Sequence, residues 1–296
     1  MSVSKELGEQ KEVTLGQGTI RYRERGTGEP IVFVHGFLVN GDLWRKVVPG
    51  LAKDFRCITP DWPLGSHELP MKPEADLTAP GLARLIADFL EALDLRNVTL
   101  VGNDTGGGLC QIVVANHPER LGRLVLTPCD AFENFPPRFF RIVLAPAALP
   151  GGAWALMQPL RLRALRNTPI AFGWLAKHGI DPEASDSYVR PSLTNRGVRR
   201  DARKVIRGIH PRHTLAAAER LGDFDRPVLI VWTREKDFFP WEHAERLAKT
   251  FPNARLERVE DSYTFVSEDQ PERLAELISG FAREPLPRDA AEGVPS

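Results

Sequence analysis

Cysteine is scarce in this 296-residue chain: Cys57, Cys110 and Cys129 stand far apart in apolar surroundings. Three isolated thiols build neither a disulfide framework nor a metal cluster, so no metal and no cofactor is expected. Net charge is absent too, since 39 basic residues balance 39 acidic ones, leaving no overall field toward nucleic acid or an acidic surface. No apolar run approaches the ~20 residues of a membrane span. The opening Met1 to Glu12 lacks the charged-then-apolar order of a signal peptide. The expectation is a chain of the reducing cytoplasm, monomer or homodimer, with no nucleic-acid and no membrane partner.

What is present is a core-forming composition, 42% hydrophobic and 26% charged, long enough for one α/β domain with an insertion. Val13 to Leu15 and Thr19 to Arg23 predict a hairpin through Gly16-Gln17-Gly18. Strands at Ile31, Arg56, Asn97 and Arg123 then alternate with helices around Gly41 to Lys53 and Pro80 to Leu93, the rhythm of a mostly parallel sheet whose active end lies at the strands' C-terminal edge. From about Asp130 to Asp223 the strand pattern stops and Pro, Arg, Leu and Ala take over. The organisation expected is a core of residues 10–129 and 224–284, a helical insertion over 130–223, and flexible termini at 1–9 and 285–296.

One segment carries chemistry. Leu100-Val101-Gly102-Asn103-Asp104-Thr105-Gly106-Gly107 reads as a strand entering a sharp glycine-flanked turn and then a helix, with a carboxylate at the bend. A capping role alone would explain Asp104. Further motifs argue for more: Ile31-Val32-Phe33-Val34-His35-Gly36-Phe37 is a buried strand ending in a His-Gly turn, and Pro227 to Trp232 is a strand leading to a loop with Asp237.

Together these resemble the α/β-hydrolase fold family, in its aspartate-nucleophile branch of epoxide hydrolases and haloalkane dehalogenases. The resemblance implies an enzyme acting on a small, largely apolar molecule. Asp104 is the implied nucleophile, the N–H groups of Phe37 and Thr105 the oxyanion hole, and Asp237 the supporting acid, with Asp130 the alternative. It also implies a helical cap over the site at 130–223. The family reads Asp-Ser-Gly-His-Phe before its last helix. Here the residues are Asp261-Ser262-Tyr263-Thr264-Phe265, so Thr264 stands where the catalytic histidine belongs.

An aspartate is ionised at its ordinary pKa and needs no base to attack, but hydrolysis of the resulting ester draws on one worth about 10² to 10⁴ in rate. Of seven histidines, His35 belongs to the oxyanion turn, and His117, His178 (in an apolar helical segment) and His243 read as packing or capping residues. His67, His210 and His213 are weak stand-ins. Candidate substrate-binding residues are His35, Tyr188, Phe135, Phe139, Trp154 and Trp174, with Phe132, Phe140, Met157, Phe172 and Leu175 as further apolar lining. Dehalogenases place Trp after the nucleophile and often Asn in the oxyanion turn, where this chain has Thr105 and Phe37. Fluoroacetate enzymes carry arginine soon after the nucleophile, where Gly106 to Gly108 stand. Epoxide hydrolases use two cap tyrosines, and this cap has Tyr188 alone. Epoxide-hydrolase-like is therefore the least contradicted reading. Two alternatives keep the fold: a cyclase, lyase or isomerase using Asp104 as acid or base, which a raised Asp104 pKa would favour, and a non-catalytic ligand-binding relative. The arginine run from Arg196 to Arg207 reads as a solvated helical face.

Overall fold

A computed structural model describes residues 5–169, 171–235 and 238–286. Eight strands form one sheet in the order β1-β2-β4-β3-β5-β6-β7-β8. They are β1 (Glu9–Leu15), β2 (Gly18–Arg25), β3 (Pro30–Val34), β4 (Arg56–Pro60), β5 (Val98–Asp104), β6 (Leu121–Cys129), β7 (Val228–Trp232) and β8 (Ala254–Arg258). The β1–β2 and β2–β4 pairs are antiparallel, and all later pairs are parallel. β5, β6 and β7 are buried along their whole length, as apolar strands covered on both faces must be.

The core helices are α1 (Val48–Leu51), α2 (Ala79–Ala92) and α3 (Thr105–Asn116), then, after the insertion, α10 (Trp241–Thr250), α11 (Val266–Asp269) and α12 (Pro271–Ala282). Thr78 caps α2 through the Gly81 N–H, and Pro80 sits in its first turn, so the helix starts where donor and proline both permit. The helix expected over Gly41 to Lys53 is instead a 3-10 turn, Gly41–Trp44, followed by short α1. Pro49 and Gly50 in Val47-Val48-Pro49-Gly50 shorten it, proline being tolerated only in the first turn. The hairpin strands extend beyond the expected ends, and Leu7 before them is buried, so structure begins ahead of residue 10.

Between β6 and β7 lie α4 (Arg138–Leu144), α5 (Gly152–Met157), α6 (Arg163–Arg166), α7 (Pro182–Thr194), α8 (Arg196–Gly208) and α9 (Pro211–Ala218), with no strand among the described residues. Arg45 ties this layer to the core: it pairs with buried Glu268 in α11 and donates to Asp181 at 2.6 Å. No helix among the described residues is long and apolar enough to cross a membrane.

Candidate active site

β5 delivers Asp104 at the C-terminal edge of the sheet, and α3 begins at the next residue. Asp104 has φ 54° and ψ −132°, a conformation that costs a non-glycine residue about 1–3 kcal/mol and persists only where the surroundings enforce it. Glycines supply that enforcement through close approach. A methyl group on Gly36 would lie 2.4 Å from Asp104 Oδ2, and one on Gly106 would lie 2.4 Å from the carbonyl oxygens of Val34 and His35. The elbow is thus pressed directly onto the turn after β3.

The two carboxyl oxygens of Asp104 differ. Oδ1 accepts the Thr105 N–H at 2.7 Å, with the Thr105 hydroxyl at 3.5 Å. No described donor reaches Oδ2, and Asp104 lines a cavity of about 480 Å³. Burial pushes the carboxyl up to about 7, against the pull of the Thr105 amide and hydroxyl.

That cavity is lined by Phe37 and Leu38 from the turn after β3, by Asp104 and Thr105, and by residues of the helical insertion including Phe139, Phe140, Val143, Met157, Phe172, Trp174 and Leu175. Phe139 stacks on Trp174 at 5.0 Å with the planes 10° apart. Among the described residues Asp104 is the only ionisable group in the lining, and no histidine contributes.

Behind the elbow stands Asp130, whose amide donates to the Asp104 carbonyl at 3.2 Å. Its side chain is sealed from solvent, and neither carboxyl oxygen finds a hydrogen-bond partner. Burial first, and the neighbouring Asp104 second, hold its pKa well above the carboxylate range, with the Thr105 hydroxyl a minor counterweight. Burial in this setting favours the neutral form of the carboxyl.

Thr264 is buried, and its carbonyl accepts the Asn103 side-chain N–H at 2.9 Å, so its backbone abuts the elbow. Asp269 holds that loop by accepting from the Tyr263 N–H at 2.9 Å and the His178 N–H at 2.9 Å. His35 is fully buried and sits in the turn rather than the cavity lining. Its Nε2 accepts the Trp62 N–H at 2.9 Å, its Nδ1 lies 2.9 Å from Gly36 O, and burial pushes its pKa down to about 4. It braces the turn after β3.

The structure therefore gathers Asp104, Thr105, Phe37, Phe139 and Trp174 around one cavity, with Asp130 and Thr264 packed against the elbow. Phe135 and Tyr188 are buried outside the lining; Tyr188 packs edge-on to Phe172 at 5.7 Å. Phe132 packs on His243, and Trp154, half exposed, faces a different groove. Asp237 lies outside the described residues. His67 is committed to Asp201 at 3.2 Å. His178 occupies a bend rather than a helix and pairs with Asp261 at 3.0 Å. His210 caps α9 by accepting the Arg212 N–H at 3.2 Å. Leu38, Val143, Leu144 and Ile209 were not anticipated in the lining. A helical stripe at 139, 140, 143 and 144 is the signal that would have found two of them.

The family profile described as the alpha/beta hydrolase fold matches residues 29–142, the stretch that carries the His35-Gly36 turn and the Asp104 elbow. This chain has the α/β-hydrolase fold. It is similar to an uncharacterised protein of Mycobacterium tuberculosis, 26% identical over 294 residues, covering 91% of this chain and 80% of that one. It is also similar to haloalkane dehalogenase 2 of the same organism, 26% identical over 281 residues, covering 88% and 91%. The crystal structure of haloalkane dehalogenase DatA from Agrobacterium tumefaciens C58 superposes with a TM-score of 0.77 at 24% identity, over 94% of this α/β-hydrolase-fold chain and 98% of that one.

Proposed function

We propose that Asp104 is a nucleophile toward a small apolar electrophile of the haloalkane type, and that the protein stops at the alkyl ester because no histidine or other base among the described residues lines the cavity beside it. The observation that carries this reading is the asymmetry of the Asp104 carboxyl. Oδ1 is held by the Thr105 N–H, while Oδ2 has no described donor and Asp104 is the only ionisable residue among those described that line the cavity. Attack by Oδ2 on carbon forms the C–O bond and expels halide with the bonding electron pair. Oδ1 then becomes the ester carbonyl oxygen, with the Thr105 N–H already upon it. The hydrolase fold and the dehalogenase relatives support the same direction.

Opening an epoxide instead produces an alkoxide that must be protonated. The described lining offers no tyrosine for that step, since Tyr188 lies outside it. This weighs against the epoxide-hydrolase reading favoured by sequence.

Ester hydrolysis needs water at the ester carbon and a group to accept its proton. Thr264 has no basicity near neutral pH, and Asp130 is sealed from solvent with its pKa held well above the carboxylate range. The expected behaviour with a 1-bromoalkane is a burst of halide limited to one equivalent per protein, absent in Asp104→Asn. Sustained release well beyond one equivalent sinks the stalled-ester reading.

A second reading rests on the raised Asp104 pKa of about 7: at neutral pH the group both gives and takes protons, which suits an isomerase, lyase or cyclase. It predicts deuterium exchange into an apolar substrate from heavy water with no halide released.

A further inference from the structure

Exposed apolar surface is distributed unevenly over the molecule. Of the large hydrophobic side chains exposed among the described residues, all but Leu215 lie between Phe139 and Leu162: Phe139, Ile142, Val143, Leu149, Trp154 and Leu162. Ile142, Leu149 and Leu162 are more than 60% exposed, at 68%, 61% and 64%. Single exposed hydrophobics are ordinary, whereas a cluster in one layer marks a contact surface.

The same layer is basic. Residues 134–180 contain no aspartate or glutamate. Beside α5, a groove of about 610 Å³ is lined by Trp154 together with Arg196, Arg199, Arg200 and Arg203 of α8, and no acid lines it. Arg200 pairs with Asp201, but no described carboxylate pairs with Arg196, Arg199 or Arg203, nor with exposed Arg138 and Arg141 on α4. Arg207 ties α8 to this layer by donating to Ala148 O at 2.7 Å. Phe139 and Val143 are exposed and also line the Asp104 cavity, so the cavity opens on this face.

We propose that this outer face of the cap, formed by α4, α5 and α8, docks on an anionic phospholipid surface, with the aliphatic and Trp154 side chains entering the interface and the arginines meeting lipid phosphates. Basic residues flanking exposed apolar ones suit a peripheral membrane contact. That no helix among the described residues is long and apolar enough to cross a membrane bears on insertion through a bilayer, not on docking at its surface. A second copy of the chain is disfavoured because a twofold contact on an acid-free face sets arginine against arginine. Nucleic acid would satisfy the arginines but leave Ile142, Leu149 and Leu162 without a partner. Docking at the cavity mouth would hand apolar molecules dissolved in lipid directly toward Asp104. The docking claim itself does not depend on the chemistry at Asp104.

The test is flotation of the full chain with vesicles of phosphatidylcholine alone and of equimolar phosphatidylcholine and phosphatidylglycerol, at low and high salt. The protein is expected to float with the anionic vesicles only, to be released by salt, and to show a blue shift of tryptophan emission on binding. Arg196→Glu/Arg203→Glu should weaken binding more than about tenfold, and Trp154→Ser should bind more weakly and lose much of the blue shift, both with an unchanged melting midpoint. Several results overturn the proposal. They are failure to float with either vesicle, salt-insensitive binding to neutral vesicles, and a dimer in size-exclusion chromatography that the arginine variant converts to monomer. Binding to a random-sequence oligonucleotide in place of anionic vesicles overturns it equally.

Discussion

Asp130 sits directly behind Asp104, its amide donating to the Asp104 carbonyl at 3.2 Å and both its carboxyl oxygens unpartnered. Two carboxyls share one buried elbow, each shifted upward chiefly by desolvation. The resemblance implies a supporting acid at Asp237, with Asp130 the alternative. We propose that, with Thr264 at the implied histidine position, Asp130 has no ring to orient.

That arrangement makes a prediction about restoring turnover. Thr264→His should convert a single halide burst into continuous release, and Thr264→His/Asp130→Asn should be slower than Thr264→His. The larger ring enters a buried site, so a loss of about 1–3 kcal/mol in stability is expected. Steady-state halide assays with urea titrations check both parts. Equal rates for the single and double variants would remove Asp130 from the account.

Attack requires the Asp104 anion. With its pKa near 7, the alkylation rate should rise about tenfold per pH unit below 7 and level off above it. Burst rates measured from pH 5 to 9 test this. A flat profile would mean that Asp104 ionises at its ordinary pKa.

The same shift governs stability. A carboxyl whose folded pKa, about 7, exceeds its unfolded value of 3.8 favours the folded state fully below the unfolded pKa and loses that contribution as pH rises through 7. Asp104→Asn should therefore be more stable than wild type at pH 8, by on the order of 2–4 kcal/mol. The difference should shrink toward pH 4. Urea midpoints at the two pH values decide it, and a gain that is the same at both contradicts the linkage.

Gly36→Ala places a methyl 2.4 Å from Asp104 Oδ2. Either the carboxylate moves or the turn does, so alkylation should fall at least about 10²-fold, the cost of a misplaced reacting group. Normal burst kinetics in this variant would show that Oδ2 is not the attacking atom.

Much of this was legible because the signals are local. Glycine-flanked Asp104 after an apolar run, His35-Gly36 after another, and the parallel alternation each follow from a few neighbouring residues, and the structure brings Phe37, Asp104 and Thr105 to one cavity. What was not legible depends on packing at a distance. Trp154 and Phe139 are equivalent aromatics in sequence, yet one faces an arginine groove and the other the cavity. Likewise, nothing near Asp130 in the chain announces that its carboxyl is sealed without a partner, because the covering residues come from other elements. His67 reads from sequence as a weak stand-in for the absent base, whereas Asp201, far along the chain, holds it at 3.2 Å.

The most direct measurement is peptide-level mass spectrometry after incubation with a 1-bromoalkane at pH 8. The account predicts a stable alkyl mass on the peptide containing Asp104, near one per protein, absent in Asp104→Asn and transient in Thr264→His. No adduct, with no halide released, would contradict nucleophilic attack and turn the reading of Asp104 to proton transfer.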